Sequence, residues 1–169
     1  LVTLREFGIF AMAGAITGII SIFFAVGLSS YVVRERDLDL DKLRSVFTVN
    51  GFLTVFLFVS FYTGGLATKY VFDSPDVGEF LLVYSFVPLI AMFEFVPQAI
   101  CTREMRFKAI SILLFVRTVT LYGSIIILAA NGFRHMSFAW ASVIAATATM
   151  VLCQFAVWKP AVWVPRFTD

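Results

Sequence analysis

Glu94 and Arg117 stand as single ionisable residues in otherwise apolar stretches, residues 80–102 and 109–133. A carboxylate or guanidinium in such surroundings needs a partner, a polar cavity or a bound substrate, because an isolated charge is costly to bury. Counted from residues 101 and 109 along helices rising about 1.5 Å per residue, both lie about 10–12 Å from a common boundary. A shared depth permits an ion pair that staples two helices. It equally permits a charged site that binds an anionic or polar substrate, or couples its movement to ions or protons. Asn50 and Gln98 join them as pathway candidates, since an amide without a partner is expensive in lipid. Thr54, Ser60, Tyr62, Thr118, Thr120, Tyr122, Thr147, Thr149 and Gln154 add polar groups suited to a cavity or to helix-to-helix hydrogen bonds.

A second cluster lies in the segment PQAICTREMRFK, residues 97–108, where Arg103, Arg106 and Lys108 fall within six positions. Such a cluster can hold phosphates, serve a catalytic centre or anchor a turn at an anionic membrane face. No nucleophile motif, glycine-rich phosphate loop or zinc-ligand spacing accompanies it, so the sequence suggests neither an enzyme nor a cofactor or metal site. His135 is the sole histidine and has no Cys or carboxylate at ligand spacing. Cys101 and Cys153 both fall near helix ends on the side read below as cytoplasmic, where thiols stay reduced, so no disulfide is expected.

The elements that must position these residues follow from composition. Of 169 residues 60% are hydrophobic, 17% aromatic and 14% charged. Soluble domains carry about a quarter charged residues. The expected class is all-α, a polytopic transmembrane helix bundle with spans at residues 7–33, 45–71, 79–101, 109–131 and 136–158. Each is long enough to cross about 30 Å of hydrocarbon. None alternates strictly, which argues against a transmembrane barrel, and a backbone in lipid must then bond within helices. Pro88 and Pro97 should kink the third span or loosen its backbone, freeing carbonyls that a moving transporter can use. Gly14 and Gly18 form a small-xxx-small pair suited to close helix contact in the first. Turns are expected at DSPDVG (residues 73–78), with Asp76 as a cap, and at NGFRH (residues 131–135).

Lysine and arginine set the orientation. Nine of the thirteen fall on one side: Arg34, Arg36, Lys42 and Arg44; Arg103, Arg106 and Lys108; Lys159 and Arg166. Arg5, Lys69 and Arg134 fall on the other. The expected cytoplasmic face therefore carries the 34–44 and 101–108 connections and the C-terminal end, and places Leu1 outside. That start, and a first residue other than Met, point to part of a longer chain.

The segments LREFGIFAMA (4–13), VGLSSYVVRERDLD (26–39) and VPQAICTREMRFKAIS (96–111) resemble the N-terminal half of bacterial polysaccharide flippases. These are the O-antigen and exopolysaccharide translocases of the multidrug/oligosaccharidyl-lipid/polysaccharide superfamily. The resemblance covers nearly the whole chain, as that family's second to sixth helices. It implies one incomplete lobe of a two-lobed inner-membrane transporter that moves undecaprenyl-diphosphate-linked oligosaccharide. The implied partners are membrane lipids and other polysaccharide-assembly proteins, and no nucleic acid. Arg117 would be the cation at membrane depth suited to a diphosphate, with Arg103, Arg106 and Lys108 at the cytoplasmic mouth. Two other readings fit the residues: a small-molecule or multidrug antiporter of the same superfamily, with Glu94 coupling to a cation, or a non-transporting subunit of a polysaccharide synthase, with the two charges merely paired.

Overall fold

The structure is a computed structural model that describes residues 40–71, 75–133 and 136–156. These form five helices: α1 (Leu40–Val71), α2 (Pro75–Tyr84), α3 (Phe86–Arg103), α4 (Phe107–Ala130) and α5 (Met136–Ala156). Four stretches are long and apolar enough to cross a membrane: Asp41–Ala67, Val77–Arg103, Phe107–Ala130 and Met136–Phe155. The described residues thus hold four of the five expected spans. The first, residues 7–33 with Gly14 and Gly18, lies outside them, as do Arg5, Arg34, Arg36, Arg134, His135, Lys159 and Arg166.

α1 begins at Leu40, ahead of the apolar span expected from residue 45. Asp41 sits in its first turn, accepting from Arg44 Nη1 at 3.1 Å, so charges expected in a connection are already helical. An acid here complements the exposed N–H groups of a helix start. The 32 residues span about 48 Å at the usual rise. Leu43 on this extension and Phe47 just after it are buried against Val96, Ile100 and Cys101 of α3, which gives the end bearing Arg103, Arg106 and Lys108 its apolar core. At the opposite end Phe80 of α2 packs with Phe138 and Ala139 of α5.

The third expected span divides into two helices at Ser85 alone, where Pro88 has no N–H to offer the carbonyl of Tyr84. Ser85 keeps helical dihedrals, φ −57° and ψ −25°, and its N–H bonds Leu81 O at 2.9 Å, so the stretch Val77–Arg103 continues through it. The Ser85 hydroxyl turns back to donate to Leu82 O at 2.7 Å. Pro97 leaves α3 continuous to Arg103. Asp76 is the second residue of α2, inside the first turn, rather than the residue preceding it as a cap would be.

Both described turns close by the same device. Met105 N–H bonds Thr102 O and Arg106 N–H bonds Cys101 O, with Met105 at φ 51°. Gly132 N–H bonds Ala129 O and Phe133 N–H bonds Leu128 O, with Gly132 at φ 86°. This is the paired bonding that satisfies the last carbonyls of a helix when one residue turns left-handed. Asn-Gly predicts the second; the first places a methionine where glycine is usual. Only residues 104–106 separate α3 from α4, so the basic cluster spreads over the last turn of α3, the turn itself and the start of α4.

A connection this short suggests that α3 and α4 are close neighbours. Instead α4 packs chiefly on α5 and touches α3 lightly. Small buried residues of α5 explain this: Ala139, Ala141, Ala145, Ala146, Thr149 and Cys153 let α2, α3 and α4 all approach it. α4 is peripheral, with Leu113 as its one buried residue and Phe115, Val119, Ile126 and Ile127 exposed.

Candidate functional site

The middle of α3 collects polar contacts from all three long neighbours. Arg117 Nη1 of α4 donates to Glu94 Oε2 at 3.1 Å. Asn50 Nδ2 of α1 donates to Met92 O at 3.4 Å. Gln154 Nε2 of α5 donates to Phe93 O at 3.3 Å. Glu94 lies nine residues before the end of α3 and Arg117 ten after the start of α4, so both stand about 14–15 Å from the helix ends, deeper than the connection lengths implied. Asn50, ten residues into α1, shares that depth.

The pair is lopsided. The Glu94 side chain is 5% exposed and that of Arg117 44%. Glu94 Oε1 is buried and accepts no hydrogen bond among the described residues. One guanidinium nitrogen is therefore anchored to a sealed carboxylate, while the Arg117 side chain as a whole stays part-exposed. A guanidinium has five N–H donors in a planar fork, so a group anchored at one nitrogen keeps donors for an oxyanion.

Pro97 accounts for the Gln154 contact. In an unbroken helix Phe93 O would accept from the N–H four residues on, and that residue is Pro97, which has none. The amide of Gln154 takes that place from a neighbouring helix. The freed carbonyl expected from Pro97 thus has a definite acceptor role.

Among the candidate residues the structure brings Glu94, Arg117 and Asn50 to one level and leaves Gln98 apart. Gln98 is exposed on α3, and its backbone carbonyl accepts from Thr102 Oγ1 at 2.9 Å. Gln154, which the sequence offered only in a longer polar list, is at the centre. Its signal was available: an amide at matching depth opposite a proline-freed carbonyl. The hydroxyls line nothing in common. Thr54, Ser60, Thr147 and Thr149 donate to carbonyls of their own helices, at 3.0, 2.8, 2.8 and 2.8 Å to Asn50, Phe56, Val143 and Ala145. Such back-bonding satisfies a hydroxyl without a second helix.

The basic cluster is mostly exposed. Arg106 Nε lies 3.5 Å from Glu104 Oε2, Lys108 is exposed and Arg103 is half-buried. The separation from Glu94 and Arg117 is about 14 Å or more along the helices. The cysteines sit in the core: Cys101 and Cys153 are free and buried. Among the described residues no three His, Cys, Asp or Glu side chains gather where they could hold a metal ion.

Neither the curated proteins nor the solved structures contain a match to this chain. A family model described as "polysaccharide biosynthesis protein" matches residues 1–168. That match supports the flippase-like resemblance carried by residues 4–13, 26–39 and 96–111, and placement in the superfamily named above is consistent with it. With four membrane-crossing stretches and a family match over almost its full length, this multi-pass membrane protein belongs to the polysaccharide biosynthesis protein family.

Proposed function

We propose that the protein takes part in polysaccharide biosynthesis as a transporter, moving lipid-linked oligosaccharide units across the bacterial inner membrane. The carrying observation is the asymmetric pair: Arg117, about midway along α4, is held through Nη1 by a buried Glu94, while its side chain stays 44% exposed. A diphosphate crossing hydrocarbon needs a cation that is already desolvated and oriented, and bidentate hydrogen bonding to phosphate suits guanidinium better than ammonium. No bond is made or broken in this reading, so the protein is a carrier rather than an enzyme. The described helices supply part of one lobe. The second lobe expected of such transporters completes the pathway, since alternating access proceeds by movement of one bundle against another around a central site.

The basic cluster sets the direction. Arg103, Arg106 and Lys108 occupy the cytoplasmic end in this reading, where they anchor the turn at the anionic leaflet and draw in the lipid diphosphate before it reaches Arg117. Asn50 lies at the same depth as Arg117, while Gln98 lies on the exposed surface of α3 towards the basic end.

The test is export of surface polysaccharide by cells carrying Arg117→Gln, Arg117→Lys, Glu94→Gln and the charge-swapped pair, each scored against protein abundance in the membrane. A transport role predicts that Arg117→Gln and the swap accumulate lipid-linked units on the cytoplasmic leaflet, with Arg117→Lys partly active. Full export from the swapped pair would reduce Glu94 and Arg117 to a staple between helices. Normal export in a strain lacking the gene would remove the transport reading altogether.

A further inference from the structure

We infer that Pro97, Gln154 and Asn50 form a three-helix clamp that positions Glu94, and through it the part-exposed Arg117. This rests on the reading of that pair as the transport site, and makes Gln154 and Asn50 positioning residues for it. Gln154 Nε2 from α5 reaches Phe93 O at 3.3 Å and Asn50 Nδ2 from α1 reaches Met92 O at 3.4 Å. Both carbonyls belong to the two residues immediately before Glu94. The clamp therefore grips the peptide groups from which the carboxylate projects.

Pro97 makes the arrangement necessary. Pro97 has no N–H to give Phe93 O the usual bond from four residues on, and a backbone carbonyl short of a donor costs far more in hydrocarbon than in water. The donor from α5 meets that carbonyl at 3.3 Å and at the same time ties the rotation of α3 about its axis to α5. On the α1 side the approach is close. A Cβ on Gly51 would come 2.9 Å from Met92 Cε, so the Met92 side chain lies directly over residue 51 of α1. With the backbone at residues 92 and 93 held on two sides, Glu94 is set on the third side, toward α4. Arg117 finds it there although α3 and α4 otherwise touch lightly.

Ordinary helix packing would make Gln154 valuable whatever residue stands at 97. A clamp built on a missing N–H makes a narrower demand: restoring that N–H must make Gln154 dispensable. The experiment is thermal unfolding of the purified full-length protein in detergent for Gln154→Leu, Pro97→Ala and the double variant, with Pro88→Ala in place of Pro97→Ala as control. Gln154→Leu is expected to raise the unfolding equilibrium constant about threefold with Pro97 present, as for a typical interhelical hydrogen bond in a membrane protein. Its effect is expected to vanish in the Pro97→Ala background and to persist in the Pro88→Ala background. The coupling between Glu94→Gln and Arg117→Gln, measured in each background, is expected to fall in Gln154→Leu and to return in Pro97→Ala/Gln154→Leu. Asn50→Leu is expected to lower the same coupling.

An equal loss from Gln154→Leu with and without the Pro97→Ala change overturns the clamp, and so does a Glu94–Arg117 coupling unchanged by Gln154→Leu. Neither readout depends on transport. Failure of the export tests above would remove the function assigned to the pair while these couplings stand, so the two failures are separable. A Gln154→Leu protein that does not accumulate is replaced by Gln154→Asn, whose shorter amide is expected to give the same pattern at smaller amplitude; its absence would also overturn the proposal.

Discussion

Removing Arg117 should damage the protein far more than removing the charge of Glu94, although the two form one ion pair. Breaking a buried pair from one side usually costs about 3–5 kcal/mol, because the remaining charge is left without compensation. That figure applies to whichever partner stays sealed. Arg117→Met leaves Glu94, 5% exposed and already with one oxygen unpartnered among the described residues, with no cation beside it. Protonation or local rearrangement limits the damage, so a loss of about 2–4 kcal/mol is expected. Glu94→Gln leaves an Arg117 side chain that is 44% exposed and, in the transport reading above, faces a hydrated pathway where water can solvate it. The glutamine keeps an acceptor for it, and the expected loss is about 1 kcal/mol or less, the range of a weakened partly exposed pair. Combining the two changes should recover much of what Arg117→Met loses, since the neutral amide no longer needs a cation. The assay is reversible unfolding of the full-length protein in detergent, with membrane abundance as a cellular check. Equal losses from the two single changes, or a Glu94→Gln protein less stable than Arg117→Met, would refute the asymmetry and with it the assignment of Glu94 as the sealed partner.

Further outcomes follow from the turns, the close approaches and the thiols. Met105 adopts φ 51°, so Met105→Gly should stabilise the α3–α4 turn by about 1 kcal/mol, read as a rise in melting temperature. A Cβ on Gly65 would sit 3.0 Å from Gly78 O and 3.2 Å from Leu82 N, which are backbone atoms, whereas one on Gly51 meets only the mobile end of Met92. Gly65→Ala should therefore cost about 1–3 kcal/mol by overpacking and Gly51→Ala distinctly less, measured by the same unfolding assay. Cys101 and Cys153 are buried, so neither should react with a water-soluble maleimide in the folded protein and both should react once it is denatured, as mass spectrometry would register.

The spans were legible because lipid imposes a blunt rule: residues 45–68 and 136–158 carry no charge, and a backbone there has no alternative to a helix. The Glu94–Arg117 pair was legible for a related reason, since two lone opposite charges at equal depth have few other places to go. Asn131-Gly132 announced its turn through glycine's freedom, while Met105 in the same role carried no such signal. Which amide would matter was not legible. Asn50, Gln98 and Gln154 are alike in chemistry and differ in the face they occupy, and in a helix apolar on every side no hydrophobic stripe marks that face. The partner of α4 was hidden for the same reason. Loop length favours α3, but the run of alanines on α5 decides the packing, and small residues announce themselves as an interface only once the neighbours are in place. The hydroxyls were open to either of two readings, a cavity or bonds between helices, and Thr54, Ser60, Thr147 and Thr149 instead use the acceptor their own helix offers four residues back.

α1 outlasts the membrane it crosses. Its first turn, from Leu40 to Arg44, extends beyond the uncharged run that starts at Ser45, yet Leu43 on that turn is pinned against α3. Asp41, Lys42 and Arg44 therefore stand on a helical turn and not on a free loop. Leu43 between them packs in one cluster with Cys101 and Ala109, which flank the turn that carries Arg106, so the two charged segments are tied to each other through their apolar neighbours.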